Sequence, residues 1–144
     1  HAMLVPQPTQ VARVACASMV EELGWERVTV ESCYQLAVEH AEMATRFDTV
    51  IFVDAAIAGP EPFHFQRIEP KLDANFSTHS IGPDAILGLA HDIFGASTVG
   101  YALGIHGYQF DDFGEWISTQ ARSNLDAAVQ FLETALQPTG SEVC

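Results

Sequence analysis

The stretch Val50-Ile51-Phe52-Val53-Asp54 decides which fold the rest of the sequence must fit. Four apolar residues run without interruption into one carboxylate, and the chain then turns at Gly59-Pro60. A continuous apolar run of this length is typical of a strand that is buried on both faces inside a parallel sheet. The stretch therefore predicts a central strand over residues 49–53, with Asp54 at its carboxyl end.

The segments on either side of this strand alternate between helical and extended patterns. Apolar residues at helical spacing predict helices over Val11 to Leu23, Gln35 to Thr45, Pro83 to Gly95 and Ser118 to Leu136. Further strands are predicted over Met3 to Val5, Arg27 to Glu31, Phe63 to Ile68 and Val99 to Ile105, the third of them at an edge of the sheet. The order predicts one three-layer α/β/α domain over residues 3–144, with a twisted, mostly parallel sheet of about five strands.

Composition and charge exclude several classes of function. The chain has 144 residues, of which 48% are hydrophobic, and no apolar run approaches the ~20 residues that span a bilayer. Six Lys and Arg residues stand against 19 Asp and Glu residues, for a net charge of -13. A field of this sign disfavours nucleic acid and favours cations or basic partners. We expect a globular protein that binds neither nucleic acid nor membrane.

The cysteines and the first residues bear on the cellular setting. Cys16, Cys33 and Cys144 are too few and too irregular for a disulfide framework, which indicates a reducing, cytoplasmic setting. The start HAMLV shows no signal-peptide pattern, and residues 1–2 are interpreted as a tag remnant.

Two side chains are candidate metal ligands at the carboxyl ends of the predicted strands. Ligands of open α/β sheets bind in the crevice beyond those ends, where Asp54 lies. His79, in the segment FSTHSIGPD, comes shortly before a predicted helix. A carboxylate and an imidazole together suit nickel, zinc or iron. Each residue also has a purely structural interpretation, as a cap of backbone N–H groups or as a surface side chain.

Other polar residues are weaker candidates. His106 follows a predicted strand and could face the same crevice, whereas His64 and His91 are interpreted as solvent-facing. Cys33 is interpreted as an inert thiol. An acidic loop, which is either solvated or meets a basic partner, contains Asp111, Asp112 and Glu115.

Four stretches between about Val28 and Leu136 carry a family resemblance: CYQLAVEHAE, VIFVDAAIAGPEPFHFQRIEP, FSTHSIGPDAILGLAHDIFG and YALGIHGYQFDDFGEWIS. In this order they resemble the nickel–iron hydrogenase maturation proteases, particularly those that serve cytoplasmic, NAD-linked-type hydrogenases. The resemblance implies a phosphorylase/hydrolase-like fold. It also implies an endopeptidase that removes the C-terminal extension of the hydrogenase large-subunit precursor, and that recognises nickel already inserted there.

The nickel would be carried by the substrate, although zinc or cadmium could occupy the same site. Cleavage through a metal-polarised carbonyl or a metal-activated water is the mechanism that chemistry favours. Two alternatives remain open. One is a non-catalytic relative that binds the precursor as an assembly chaperone, and the other is an α/β domain that binds some other cation.

The resemblance implies three metal-facing side chains: an acid in a glycine-rich N-terminal loop, an acid at the end of a central strand and a histidine in a later loop. The second and third fall on Asp54 and His79, which are the implied catalytic residues. Counted without a gap, the N-terminal acids fall on Ala12 and Arg13, so that ligand is missing. Possible accessory residues are Glu61 and His106. The implied partner groove involves Asp111, Asp112 and Trp116, the last where the family tends to have glycine.

Overall fold

The computed structural model describes residues 1–33, 35–56, 58–71, 81–108 and 117–136. The elements follow the order that the sequence predicts. They are β1 (Ala2–Pro6), α1 (Gln10–Leu23), β2 (Val28–Val30), α2 (Val38–Ala44), β3 (Thr49–Ala56), β4 (Phe63–Ile68), α3 (Pro83–Asp92), β5 (Val99–His106) and α4 (Thr119–Leu136).

The strands of these residues form one sheet in the order β2-β1-β3-β5-β4. β1, β2, β3 and β5 are parallel, and β4 alone runs antiparallel, against β5. β4 therefore lies at an edge, as its alternating pattern predicted, and the expectation of a mostly parallel sheet of about five strands is confirmed. β3 occupies the centre, between β1 and β5.

Apolar cores cover both faces of β3. Ile51 and Val53 pack with residues of α1 and α4, whereas Val50 and Phe52 pack with residues of α2 and α3. The run of β3 needs no polar residue because neither face meets water. Asp54 is the first residue of the strand that is exposed.

Three strands are longer than their patterns predict, β5 by the single residue His106. All five residues of β1 are buried, and Ala2, which the sequence suggested was a tag remnant, pairs with Val28 and Thr49 and is only 3% exposed. β3 continues three residues beyond Val53 because its pairing with β5 continues as far as Ala56. Asp54 consequently lies within a strand rather than in the loop after it.

Side chains that accept backbone N–H groups begin the first and last helices. The Thr9 hydroxyl accepts from the Ala12 N–H at 3.2 Å, and the Ser118 hydroxyl accepts from the Ala121 N–H at 3.1 Å, as predicted for Ser118. α2 begins at Val38, three residues later than predicted. In the described part of the chain, no helix combines the length and the apolar character that crossing a membrane requires.

Gly100 of β5 lies directly beneath Leu87 of α3, and a Cβ at Gly100 would overlap the buried Leu87 side chain. We expect Gly100→Ala to lower the free energy of unfolding by about 1–3 kcal/mol through overpacking. Urea denaturation measures this cost. In a Leu87→Ala background the same substitution should cost much less, and an equal cost in both backgrounds would contradict the explanation.

Candidate functional site

The strand order reverses between β1 and β3. From β1 the chain passes through α1 to β2 on one side, and then through α2 to β3 on the other side of β1. In open α/β sheets a crevice opens at such a reversal, beyond the carboxyl ends of the strands. Gln7 follows β1 there, and its N–H donates to the Val53 carbonyl at 2.8 Å.

A cleft of about 420 Å³ lies at this end of the sheet. Part of its lining is apolar, including Leu36, Phe52 and Ile81. Ligand sites commonly combine such a lining with a small number of polar groups. The polar side chains among the lining residues are those of Gln7, Gln35, Asp54 and His64.

Four of the lining residues occupy one level across the sheet, three of them within neighbouring strands and the fourth directly after β1. Asp54 of β3 pairs with Gly104 of β5, and Gly104 pairs with His64 of β4. Gln7 stands at the same level on the other side, because Pro6 pairs with Val53, the residue before Asp54. We call Gln7, Asp54, Gly104 and His64 the Asp54 row.

The carboxylate of Asp54 is exposed at the rim of the cleft. Its Oδ1 accepts the N–H of Ala55 at 2.7 Å. Because the preceding residues Val50 to Val53 are buried, the strand fixes the position of the backbone from which this carboxylate projects. Asp54 thus meets the geometric requirement for a ligand-binding acid, while its role as a metal ligand stays a prediction.

His64 is the residue that sequence reasoning assigned to solvent. It is half-buried, and its ring covers Gly104, where an added Cβ would overlap Nε2 and lie 2.8 Å from Cδ2 and Cε1. The signal in the sequence was the glycine in the middle of a strand pattern, which often marks a close approach by another group. The glycine alone could not identify His64 as the approaching residue, because the pairing of β4 with β5 was unknown.

Glu61 and His106, the predicted accessory residues, belong to a different cluster. The Tyr108 hydroxyl donates to Glu61 Oε1 at 2.9 Å, and the His106 ring meets the Tyr108 ring edge-on at a centroid distance of 5.2 Å. The His106 carbonyl accepts from Asn124 Nδ2 at 2.9 Å. Neither Glu61 nor His106 lines the cleft that holds Asp54.

The positions where an ungapped count placed the N-terminal acids lie inside α1. Ala12 is fully buried in the core, and Arg13 is exposed and donates to Gln10 Oε1 at 3.2 Å. Only residues 7–9 connect β1 to α1, so the helix begins where an acid-bearing loop would stand. Arg13 does not line the Asp54 cleft but lines a smaller cavity that also includes Gln7.

Several predicted site residues lie outside the described residues: His79, Asp111, Asp112 and Trp116. Among the residues that the structure does describe, no three His, Cys, Asp or Glu side chains are grouped so that they could hold a metal ion. His91, interpreted as solvent-facing, is half-buried, and its Nε2 lies 2.6 Å from the Thr98 carbonyl, a structural contact.

The described cysteines are poor nucleophiles. Burial raises the pKa of Cys16 to about 12. Burial, followed by the charge of Glu31, also raises the pKa of Cys33, a half-buried residue beside a smaller cavity of about 260 Å³. Both thiols are therefore protonated at neutral pH, which agrees with the interpretation of Cys33 as inert.

Three solved structures identify the class of protein whose fold this chain shares. The nickel–iron hydrogenase maturation protease HycI from Thermococcus kodakarensis KOD1 matches with a TM-score of 0.67 and 16% identity, over 94% of this chain and 92% of that chain. The hydrogenase 2 maturation peptidase from Thaumarchaeota archaeon SCGC_AB-539-E09 matches with a TM-score of 0.64 and 12% identity, over 96% and 99%. HybD, a maturation protease from Thermococcus kodakarensis, matches with a TM-score of 0.55 and 15% identity, over 95% and 99%.

The chain therefore has the α/β fold of the nickel–iron hydrogenase maturation proteases, the family that its motifs resemble. No protein-family model matches the sequence, and no curated protein matches it. At these identities the likeness establishes the fold, and the activity has to be argued from the site.

In a Cys144→Ser background, we expect Cys33 to react with iodoacetamide at pH 8 several-fold more slowly than free cysteine, because its raised pKa leaves less thiolate. The rate should rise with pH. Glu31→Gln should increase the rate at pH 8 about twofold, since it removes a charge that repels the thiolate. Mass spectrometry follows the alkylation, with Glu133→Gln on α4 as the matched control. Cys33 that reacts as fast as free cysteine would contradict this assignment.

Proposed function

We propose that this protein is an endopeptidase that removes the C-terminal extension of a nickel-loaded hydrogenase large-subunit precursor. The observation that carries the proposal is the position of Asp54. This acid lies at the carboxyl end of the central strand, in a cleft at the reversal of strand order, within a fold shared with three hydrogenase maturation proteases.

The cleft suits the end of a polypeptide that carries a metal. Its apolar side chains can hold the peptide segment, and its few polar groups stand on one side of the sheet around Asp54. A carboxylate at the rim attracts a cation, and the net charge of -13 adds a long-range field of the same sign. Nickel bound to the precursor supplies Lewis-acid chemistry at the scissile carbonyl or at a water, and Asp54 fixes the position of that nickel.

His79 is the second residue of this proposal. The motif FSTHS that contains it is one of those that resemble the family, and the segment directly precedes α3, whose first residue Pro83 lines the cleft. We propose that its imidazole contacts the same nickel as Asp54. This role rests on the sequence resemblance.

Release of the C-terminal peptide from nickel-loaded precursor, followed by mass spectrometry, tests the activity. We expect Asp54→Asn to slow release more than about 100-fold, because the neutral amide keeps the shape of the side chain but binds a cation poorly. The matched control is Asp48→Asn, since Asp48 is an exposed acid just before the opposite end of the same strand. Equal loss in both variants, or none in Asp54→Asn, would contradict the assignment.

The same experiment separates peptidase from chaperone. The alternative is a protein that binds the precursor without cleaving it, because the positions on which the resemblance places the N-terminal acids are Ala12 and Arg13 of α1. A peptidase releases the peptide, and His79→Ala abolishes release. A chaperone binds nickel-loaded precursor but releases nothing. A protein that binds neither nickel-loaded nor nickel-free precursor has another cation or ligand as its target.

A further inference from the structure

The ring of His64 lies close to two glycines. Gly104 lies beneath it on β5, and Gly59, in the loop between β3 and β4, lies near Cδ2, which is 3.8 Å from the position of an added Cβ. Gly59 has a φ of 105°, a conformation that other residues rarely adopt. Gly104 thus leaves the room that the imidazole occupies, whereas Gly59 is only in ordinary contact with the ring.

Glycine inside a strand has a cost that points to a specific requirement. It destabilises a strand relative to alanine, and it often marks a close approach by another group. At position 104 the approaching group is the His64 ring itself, because even a single methyl group there would overlap Nε2. Gly104 therefore allows the ring to lie over β5 instead of standing away from it.

The ring lies over the strand position that pairs with Asp54. The ring covers β5, the strand next to the one that carries Asp54, and neighbouring strands lie about 4.8 Å apart. A metal ion with bonds of about 2.1 Å joins ligand atoms up to about 4 Å apart. Both side chains line the same cleft, so the imidazole and the carboxylate can face one ion from two sides.

The other side of Asp54 offers a weaker ligand. Gln7 stands at that end of the Asp54 row, in the short segment between β1 and α1, and its amide carries no charge. Imidazole is a good ligand for nickel, whereas a neutral amide oxygen is a poor one. Among the described residues, His64 is thus the side chain of the row best suited to bind nickel together with Asp54.

We infer that His64 is a nickel-contacting residue, which acts with Asp54 in place of the missing N-terminal acid. The nickel is the one that the precursor carries, so the inference deepens the proposed function and rests on it. The resemblance implies a second metal-facing group in the N-terminal loop. Here that group is His64, which lies over Gly104 on the β5 side of Asp54.

Calorimetric titration of the tag-free full chain with Ni²⁺ tests the inference. We expect His64→Ala to weaken Ni²⁺ binding about 10–100-fold. Gly104→Ala keeps the imidazole but displaces it, and should weaken binding by a similar factor. The double variant Gly104→Ala/His64→Ala should bind no more weakly than His64→Ala alone, because both substitutions act through one ring.

Two control variants separate this effect from general damage. Gly100→Ala perturbs the same face of the same strand but meets Leu87, and His91→Ala removes a histidine that contacts the Thr98 carbonyl. Both should bind Ni²⁺ as the unaltered protein does. Circular dichroism confirms that each variant is folded.

A gain of affinity gives a second, independent measurement. Gln7→Glu places a carboxylate on the β1 side of Asp54, and we expect it to tighten Ni²⁺ binding at least about tenfold. Gln35→Glu, which adds a carboxylate to the cleft outside the Asp54 row, should tighten it less. No gain in Gln7→Glu would contradict the geometry of the row.

The outcomes for the site and for the proposed function are distinguishable. An unaltered protein that binds no Ni²⁺, or a His64→Ala protein with unaltered affinity, overturns the inference even if the precursor is cleaved. Ni²⁺ binding that depends on His64, in a protein that neither binds nor cleaves any precursor, sustains the metal site and overturns the proposed function. Unaltered cleavage of nickel-loaded precursor by His64→Ala overturns the role of His64 towards the substrate.

Discussion

The burial of β3 on both faces is the constraint on which the site depends. Residues 50–53 contact one core formed with α1 and α4 and another formed with α2 and α3, so the strand cannot shift by one residue without exposing apolar side chains. This fixed register places Asp54 at the rim, on the face of the sheet that α2 and α3 cover. The acid needs no network of its own to hold its backbone, because the two cores already do so.

Most of the fold could be predicted from the sequence, because most helices and strands have a distinctive local pattern of apolar residues. The unbroken run of β3, the alternation of β4 and the helical spacing of α1 and α4 each identify an element without any long-range information. The ends of β1 and β3 were harder to predict. Both strands extend further than their apolar patterns because hydrogen-bonded neighbours continue beside them, as Ala56 does opposite His106.

The sequence could identify only those site residues that stand out in a local pattern. Asp54 was identified because a carboxylate interrupts an apolar strand at the end where α/β sheets bind ligands. His64 was not, because its neighbours in the cleft come from the pairing of β4 with β5, and a histidine on an alternating edge strand has no distinctive local pattern. Ala12 and Arg13, on which the resemblance places the missing N-terminal acids, lie within α1, and Gln7 lies at the rim beside β1.

Small residues on the face of β5 beneath α3 contribute both to core packing and to the cleft. Gly100, Ala102 and Gly104 succeed one another on this face, and each leaves out the volume that a larger residue would bring to the sheet. At Gly100 the space is filled by Leu87, a buried core residue of α3, and at Gly104 it is filled by the imidazole of His64. Glycine therefore serves two purposes on the same strand. Gly100 makes room for a core side chain, and Gly104 makes room for a side chain of the cleft. Because Ala102 between them lines the cleft, the strand passes from core to site within these five residues.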